Sequence, residues 1–317
     1  GQWMKTKSTF EAELGGEIKL VGLANSTSYV MDANGLEPDA NALQDSGRAR
    51  SASDANEVLR AFHALPGRRK IWVDNSAADA VADAGIEALK LGMGYVCSNK
   101  IAATRSLADW NVLRASGARF KNETNVGAAL PILHGLRSML ETGDRIKRIE
   151  AVLSGSVNYI FSSMDGGQNF SNAVRSAGQK GYTEPDARID LSGMDVARKI
   201  LILARMCGAE VTMEDVQVKG FLPEAAFAGD LNGFVAQLDA LGTAMDAQAA
   251  EARAAGKRLR FVASYSPETG CACELMALEP SHPFYALEGT DNAVSIHSER
   301  YTDKPLVIQG AGAGGAL

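Results

Sequence analysis

Short apolar strands and Ala/Leu-rich helical stretches alternate through the first third of this chain, and that alternation constrains the fold more than any other feature. Glu17-Ile-Lys-Leu-Val-Gly-Leu23, Lys70-Ile-Trp-Val-Asp74 and Gly94-Tyr-Val-Cys97 read as strands, with helical patterns at about 52–64, 77–91 and 104–116. Repeated strand–helix–strand units predict a parallel sheet with helices on both faces. The class is α/β, a doubly wound, Rossmann-like nucleotide-binding domain. After about residue 125 the pattern changes. Helical stretches at about 129–142, 169–180, 190–206 and 231–255 are interspersed with β-rich runs at 146–153, 258–265, 271–278 and 292–298. That order predicts a second, α+β domain with a mostly antiparallel sheet. The last apolar run, Pro305-Leu-Val-Ile-Gln-Gly310, is expected to return to the first domain. The expected boundaries are therefore 1–125, 126–301 and 302–317.

With 317 residues, 46% of them apolar and 22% charged, the chain has ample material for two cores. The net charge is −6, and the one basic cluster, Arg68-Arg69-Lys70, leads into a strand and reads as a solvated loop. Neither nucleic acid nor a membrane is expected as a partner. No run reaches the roughly 18 apolar residues that a spanning helix needs. The start, Gly-Gln-Trp-Met-Lys, has no signal-peptide pattern, and Gly1 in place of an initiator methionine leads us to expect a natural chain that begins earlier. Cys97 and Cys207 lie in apolar runs, and Cys271 and Cys273 share one face of a strand. The four histidines show no metal-ligand spacing, so this usage suits a reducing compartment.

Gly310-Ala-Gly312-Ala-Gly314-Gly315 has the form G-x-G-x-x-G after a strand, but only Ala316 and Leu317 follow it. Without a helix N-terminus behind it, the run reads either as cofactor contact or as a plain turn. If Gly1 is the last glycine of such a fingerprint, the strand at 17–23 is the second of its sheet. Its end, Ala24-Asn25-Ser26-Thr27-Ser28, carries no acid to grip a ribose 2′-hydroxyl, which favours NADP over NAD. Asp74-Asn75-Ser76 and Ser98-Asn99-Lys100 end two strands at the edge where open α/β sheets bind ligands. Ser76 reads equally as a helix N-cap. Asp195 and Lys199 are four apart on a helix that is apolar over most of its circumference. An exposed pair of this kind contributes only about 0.3–0.5 kcal/mol. A buried lysine instead needs carboxylates, which Glu184, Asp186, Asp190 and Asp195 would supply. Such a cluster is a candidate for proton transfer.

Several of these stretches together resemble homoserine dehydrogenase. They are Val73-Asp-Asn75, Ser98-Asn-Lys100, Glu123-Thr-Asn-Val-Gly-Ala-Ala-Leu-Pro131, Ser154-Gly-Ser-Val-Asn-Tyr-Ile160, Gly181-Tyr-Thr-Glu-Pro-Asp186, Asp195-Val-Ala-Arg-Lys199, Ser281-His-Pro-Phe284 with Gly289, and Val307-Ile-Gln-Gly-Ala-Gly-Ala-Gly314. They cover almost the whole chain in the family's order, and the block from Glu184 to Lys199 is the most specific. The resemblance implies reversible reduction of L-aspartate 4-semialdehyde to L-homoserine, a step toward threonine and methionine. It implies NADP, or alternatively NAD, as cofactor. Lys199 matches the proton-transferring lysine, and Lys100 a lysine beside nicotinamide and substrate. Glu184 and Asp195, with Gly181, Tyr182 and Asp190, match substrate-binding positions. Gly1, Ser76 and Gly314 match cofactor contacts. Glu123, Val126, Ala128 and Leu130 match a monovalent-cation site, for Na⁺ or K⁺, built mainly of carbonyl oxygens. The resemblance also implies a nucleotide-binding domain over 1–125 lacking its first strand, and a substrate-binding and dimerisation domain over 126–301. A homodimer or higher homo-oligomer, a fused aspartate kinase domain in the full-length protein, and location in the cytoplasm or a plastid follow from the same resemblance. Ala187 and Ile189 depart from the family, which often has proline and a second aspartate there. Two other readings remain at this level: a non-catalytic dimerisation or substrate-binding fragment, and another nicotinamide oxidoreductase on the same fold.

Overall fold

A computed structural model describes residues 2–37, 43, 50–51 and 54–312, with side chains for all of these except 2–5 and Arg50. Two compact units divide the chain. One runs to Ala102 and takes in Val112–Phe120; the other holds Ala103–Asn111 and the chain from Lys121 onward.

The first unit opens with α1 (Gln2–Leu14) and a small antiparallel sheet of β1 (Gly22–Ala24), β2 (Ser28–Met31) and β3 (Arg50–Ser51). The strand expected over 17–23 is thus confined to 22–24, and it pairs antiparallel with β2. The reason is local. Asn25 Oδ1 accepts from the amides of Thr27 at 2.9 Å and Ser28 at 2.8 Å, so the chain reverses at once. A parallel neighbour would need a crossover of about a dozen residues. The expected strand–helix alternation follows in α2 (Ala55–Ala64), β4 (Ile71–Asp74), α3 (Asp79–Lys90) and β5 (Gly94–Cys97). Asp54 caps α2 by accepting from the Glu57 amide at 2.7 Å. Strands β4 and β5 are parallel, with Trp72 beside Tyr95 and Asp74 beside Cys97. Helix α3 packs on that face so closely that a Cβ on Gly85 would lie 2.3 Å from the Tyr95 ring. On the opposite face Ile71, Val73 and Val96 are exposed among the described residues.

The chain then runs through α4 (Ile101–Thr104), α5 (Leu107–Ala115) and β6 (Phe120–Lys121), which lies beside β5, to α6 (Ile132–Glu141). The second unit is built on β7 (Ile146–Val152), α7 (Gly155–Asp165), α8 (Phe170–Gln179), α9 (Ala187–Leu191), α10 (Met194–Met206) and β8 (Val216–Val218). It ends with α11 (Leu231–Ala254), β9 (Arg258–Ser266), β10 (Gly270–Leu278), β11 (Asp291–Ser298) and β12 (Leu306–Ala311). Its sheet has the order β12-β11-β7-β9-β10-β8; every recorded pairing is antiparallel except β10 with β8. Val196, Ile200 and Leu203 of α10 and Val157 and Phe161 of α7 are buried, and the Phe161, Phe221 and Phe261 rings stack edge to face at 5.3 Å. The segment between β10 and β11 brings Phe284 and Leu287 onto Val152, Val262 and Ala293.

The segment expected to return to the first domain does otherwise as far as it is described. Residues 306–311 pair with β11 from Ile296↔Leu306 to Asp291↔Ala311, as the edge strand of the second unit's sheet. The alternating half-burial of β12 suits an antiparallel strand with one face covered and the other towards solvent.

Candidate active site

Lys199 lies on α10, and its ammonium meets the Asp195 carboxylate at 2.7 Å and the Leu153 carbonyl at 2.6 Å. The Lys199 side chain is 15% exposed and that of Asp195 37%, so this is no fully solvated pair. Burial holds the ammonium in place, since Val196, Ile200 and Leu203 fix the helix around it. An ammonium has three N–H donors. Two are taken by Asp195 and Leu153, which leaves one.

The other carboxylates expected around Lys199 go elsewhere. Asp186 caps α9 and grips Arg188, with Oδ2 at 2.6 Å from the guanidinium, a contact that holds its carboxyl below the usual range. Asp190 accepts from Ser156 Oγ at 2.7 Å and from the Glu184 amide at 2.9 Å. Glu184 is exposed and lines a cleft between α8 and α11. Asp186 is used as the N-cap of α9, and Asp190, within that helix, is engaged by Ser156 and the Glu184 amide. Gly181 closes α8 with φ 70°, the left-handed conformation that suits glycine. Tyr182 is 43% exposed and meets the Tyr159 ring edge-on at 4.9 Å. The Lys180 ammonium lies 5.0 Å from the Tyr159 ring centre, and the Ser176 hydroxyl and that ammonium lower the phenol's pKa.

Sequence reasoning gave no role to Leu153, Ser156 or Arg205. The Ser154-Gly-Ser156 motif marked the neighbourhood, and Ser154 caps α7 by accepting from the Val157 amide. Nothing in the sequence marked the Leu153 carbonyl, because a backbone acceptor has no residue signature. Arg205 is fully buried and donates to the carbonyls of Val211 at 2.9 Å and of Ala103 and Arg105 at 2.8 Å. It ties the 103–105 segment to the helix that carries Lys199.

In the first unit, Asp74 is buried at the carboxyl edge of β4. It accepts from Ser76 Oγ at 2.7 Å, the Ser76 amide at 2.9 Å, Asn99 Nδ2 at 3.0 Å and Tyr95 Oη at 3.1 Å. Burial above all, then the neighbouring thiol and carboxylate, push the Tyr95 phenol far up, so it stays a donor. Ser76 therefore is not the N-cap of α3; Ala78 holds that place, and its amide bonds Ser76 Oγ at 3.2 Å. Ser98 Oγ donates to Asn75 Oδ1 at 3.2 Å. The rim of this edge is Asn75, Ser76, Ser98 and the partly buried Lys100.

The four residues of the expected cation site lie on the turn before α6. Gly127 and Ala128 both have positive φ, 75° and 47°. For alanine that conformation is strained. No described amide donates to the Val126 or Ala128 carbonyl, whereas Leu130 O accepts from the Ile132 amide at 2.8 Å. Glu123 Oε1 accepts from the His134 amide at 2.9 Å. Gly1 and Gly314 lie outside the described residues.

Comparison with known proteins decides the family. The homoserine dehydrogenase family model matches residues 131–317. The chain is 37% identical to a bifunctional aspartokinase/homoserine dehydrogenase of Haemophilus influenzae, over 99% of this chain and 39% of that protein. It is 38% identical to the homoserine dehydrogenase of Paracoccidioides brasiliensis, over 84% of this chain and 75% of that one.

The chain belongs to the homoserine dehydrogenase family. A hyperthermophilic archaeal homoserine dehydrogenase solved in complex with NADPH has the same fold, with a TM-score of 0.70 over 99% of this chain and 89% of that one at 21% identity. The chain spans about two fifths of the length of its Haemophilus influenzae relative. The fold is the expected one in class: a Rossmann-like parallel sheet with an α+β domain.

Proposed function

We propose that this chain interconverts L-aspartate 4-semialdehyde and L-homoserine with a nicotinamide nucleotide, NADP(H) in preference to NAD(H). The observation that carries the reading is Lys199, held between Asp195 and Leu153 with one N–H remaining. When bound, the cofactor supplies or accepts the hydride at the carbonyl carbon. Lys199 gives its proton to the aldehyde oxygen in reduction and takes it from the hydroxyl in reverse. Asp195 accepts from Lys199 while the lysine carries its proton and keeps it in place beside the reacting oxygen. Glu184 and Asp195 bind the substrate's amino group. Gly181 and Tyr182 shape the loop that carries Glu184, and Asp190 holds that loop by its bond to the Glu184 amide.

The residues of the first unit fit a phosphorylated nucleotide. Asp74, buried at the edge, is consumed by internal hydrogen bonds, so the rim offers Asn75, Ser76, Ser98 and Lys100. Ser76 and Lys100 would hold the nucleotide. The exposed loop Ala24–Ser28 presents no carboxylate, which favours a 2′-phosphate. The turn at Glu123, Val126, Ala128 and Leu130 fits a hard monovalent cation, because its carbonyls have lone pairs to spare and oxygen ligands suit such an ion. We assign Na⁺ or K⁺ there. The relatives' composition supports a fused aspartokinase. We further propose a homodimer through the second unit and a location in the cytoplasm. Among the described residues no helix is long and apolar enough to cross a membrane.

The test is an assay of NADPH oxidation with aspartate 4-semialdehyde. Lys199→Ala is expected to cut turnover by about 10²-fold while leaving nucleotide affinity unchanged. Turnover near that of the unmodified chain would overturn the proton-transfer assignment. In the same assay, choline in place of K⁺ and Na⁺ is expected to lower turnover, and Glu123→Gln to remove that dependence.

A further inference from the structure

Of the two acceptors that hold Lys199, one is the Leu153 carbonyl. A backbone carbonyl has no rotamer, so its direction is set by the chain on either side of it. Here both sides are anchored to one stretch, residues 288–293. Before Leu153, Val152 of β7 pairs with Ala293 of β11. After it, α7 begins at Gly155, where an added Cβ would stand 2.8 Å from the Thr290 carbonyl oxygen. Within the same first turn, Asn158 donates through Nδ2 to the carbonyls of Gly289 at 3.1 Å and Asp291 at 3.2 Å, with that of Glu288 at 3.5 Å. The 288–291 turn is closed by its own bond, from the Asp291 amide to the Glu288 carbonyl at 3.2 Å.

Asn158 is 2% exposed, and its Oδ1 is buried with no hydrogen-bond partner among the described residues. An unpaired buried acceptor is destabilising, so what this side chain contributes comes from its nitrogen. Three carbonyls converging on one amide nitrogen are more than a single turn needs for its own closure. We propose that Asn158 is a positioning residue: by clamping the first turn of α7 to the 288–291 turn, it aims the Leu153 carbonyl at the Lys199 ammonium. Without the clamp the carbonyl moves off the ammonium, an acceptor is lost at a partly buried site, and the neutral amine gains. The consequence for turnover rests on the function proposed above.

Trace acetylation of the protein with acetic anhydride, read peptide by peptide by mass spectrometry, tests the clamp without turnover, because only a neutral amine reacts. Asn158→Ala removes the donors, and Gly155→Ala forces α7 away from Thr290. Each is expected to raise labelling of Lys199 about threefold at neutral pH, the effect of losing one hydrogen bond, while exposed Lys90 and Lys219 label as before. Val216→Ala opens a cavity at β8, the edge strand on the other side of β9 and β10 from β7, and is expected to leave Lys199 labelling unchanged. Equal rises in all three variants, or none in the first two, would overturn the positioning role. In the assay, Asn158→Ala is expected to lower kcat about tenfold with KM for NADPH unchanged, and to raise the solvent deuterium isotope effect on kcat, which a smaller folded fraction would not move. A rise in labelling with kcat and isotope effect unmoved would sustain the clamp and overturn the proton transfer assigned to Lys199.

Discussion

A buried or half-buried ammonium needs oxygen acceptors around its N–H groups, and Lys199 has one carboxylate and one carbonyl. The contrast with Arg205 is instructive. That guanidinium is fully buried and meets three backbone carbonyls but no recorded carboxylate, and burial lowers its pKa. A fixed cation of that kind serves architecture, whereas the proton transfer proposed for Lys199 uses a spare donor at a partly open position. Glu150 offers a test of charge in the sheet itself. Burial works to raise its pKa, but His282, Arg148 at 2.6 Å and His297 together outweigh burial and hold it below the usual carboxylate range. A depressed carboxylate stabilises the fold above its unfolded pKa and loses that contribution as pH falls through its folded pKa. Urea unfolding of the unmodified chain and Glu150→Gln at neutral and acid pH is therefore expected to show a stability gap that closes on acidification. A gap constant over that range would refute the linkage.

Among the elements, α10 and α3 show two ways in which a helix is placed. Helix α10 buries nearly its whole circumference, so its position is fixed by packing, and Asp195 and Lys199 come together by their four-residue spacing. Helix α3 is placed by an approach to β5 that only glycine permits. A Cβ on Gly85 would fall 2.3 Å from the fully buried Tyr95 ring, whose hydroxyl also bonds Asp74. Gly85→Ala must push the helix or the ring, and overpacking of this kind costs about 1–3 kcal/mol. A fall in Tm of several degrees is the expected result by circular dichroism. An unchanged Tm would mean that α3 relaxes without strain.

At the scale of the molecule, two units carry separate cores. One gathers Leu59, Phe62, Ala84, Ala88 and Met93 against Trp72; the other includes Val152, Val262, Phe284, Leu287 and Ala293. Units with their own cores need not unfold together. Scanning calorimetry is expected to resolve two transitions, with a calorimetric enthalpy above the van't Hoff value for the whole trace. A single two-state transition would show that the two cores are coupled.

The sequence by itself determined what is local: the alternation around β4, α3 and β5, the longer strands and helices of the second unit other than α7, and the pairing of Asp195 with Lys199. Periodicity records which face of an element is apolar, and four-residue spacing brings side chains together on a helix. What periodicity does not record is the partner on the far side. The Leu153 carbonyl that receives Lys199 lies 46 residues away, and Ser156 lies 34 residues from the Asp190 it holds. Those meetings exist only because α7, α9 and α10 are assembled around one sheet. The tertiary structure likewise decided where residues 306–311 go, since an apolar strand can join any open sheet edge and here β11 supplied it. It also set Glu184 along the α8–α11 cleft, whose lining does not include Lys199, while Asp186 caps α9 and Asp190 holds Ser156 and the Glu184 amide.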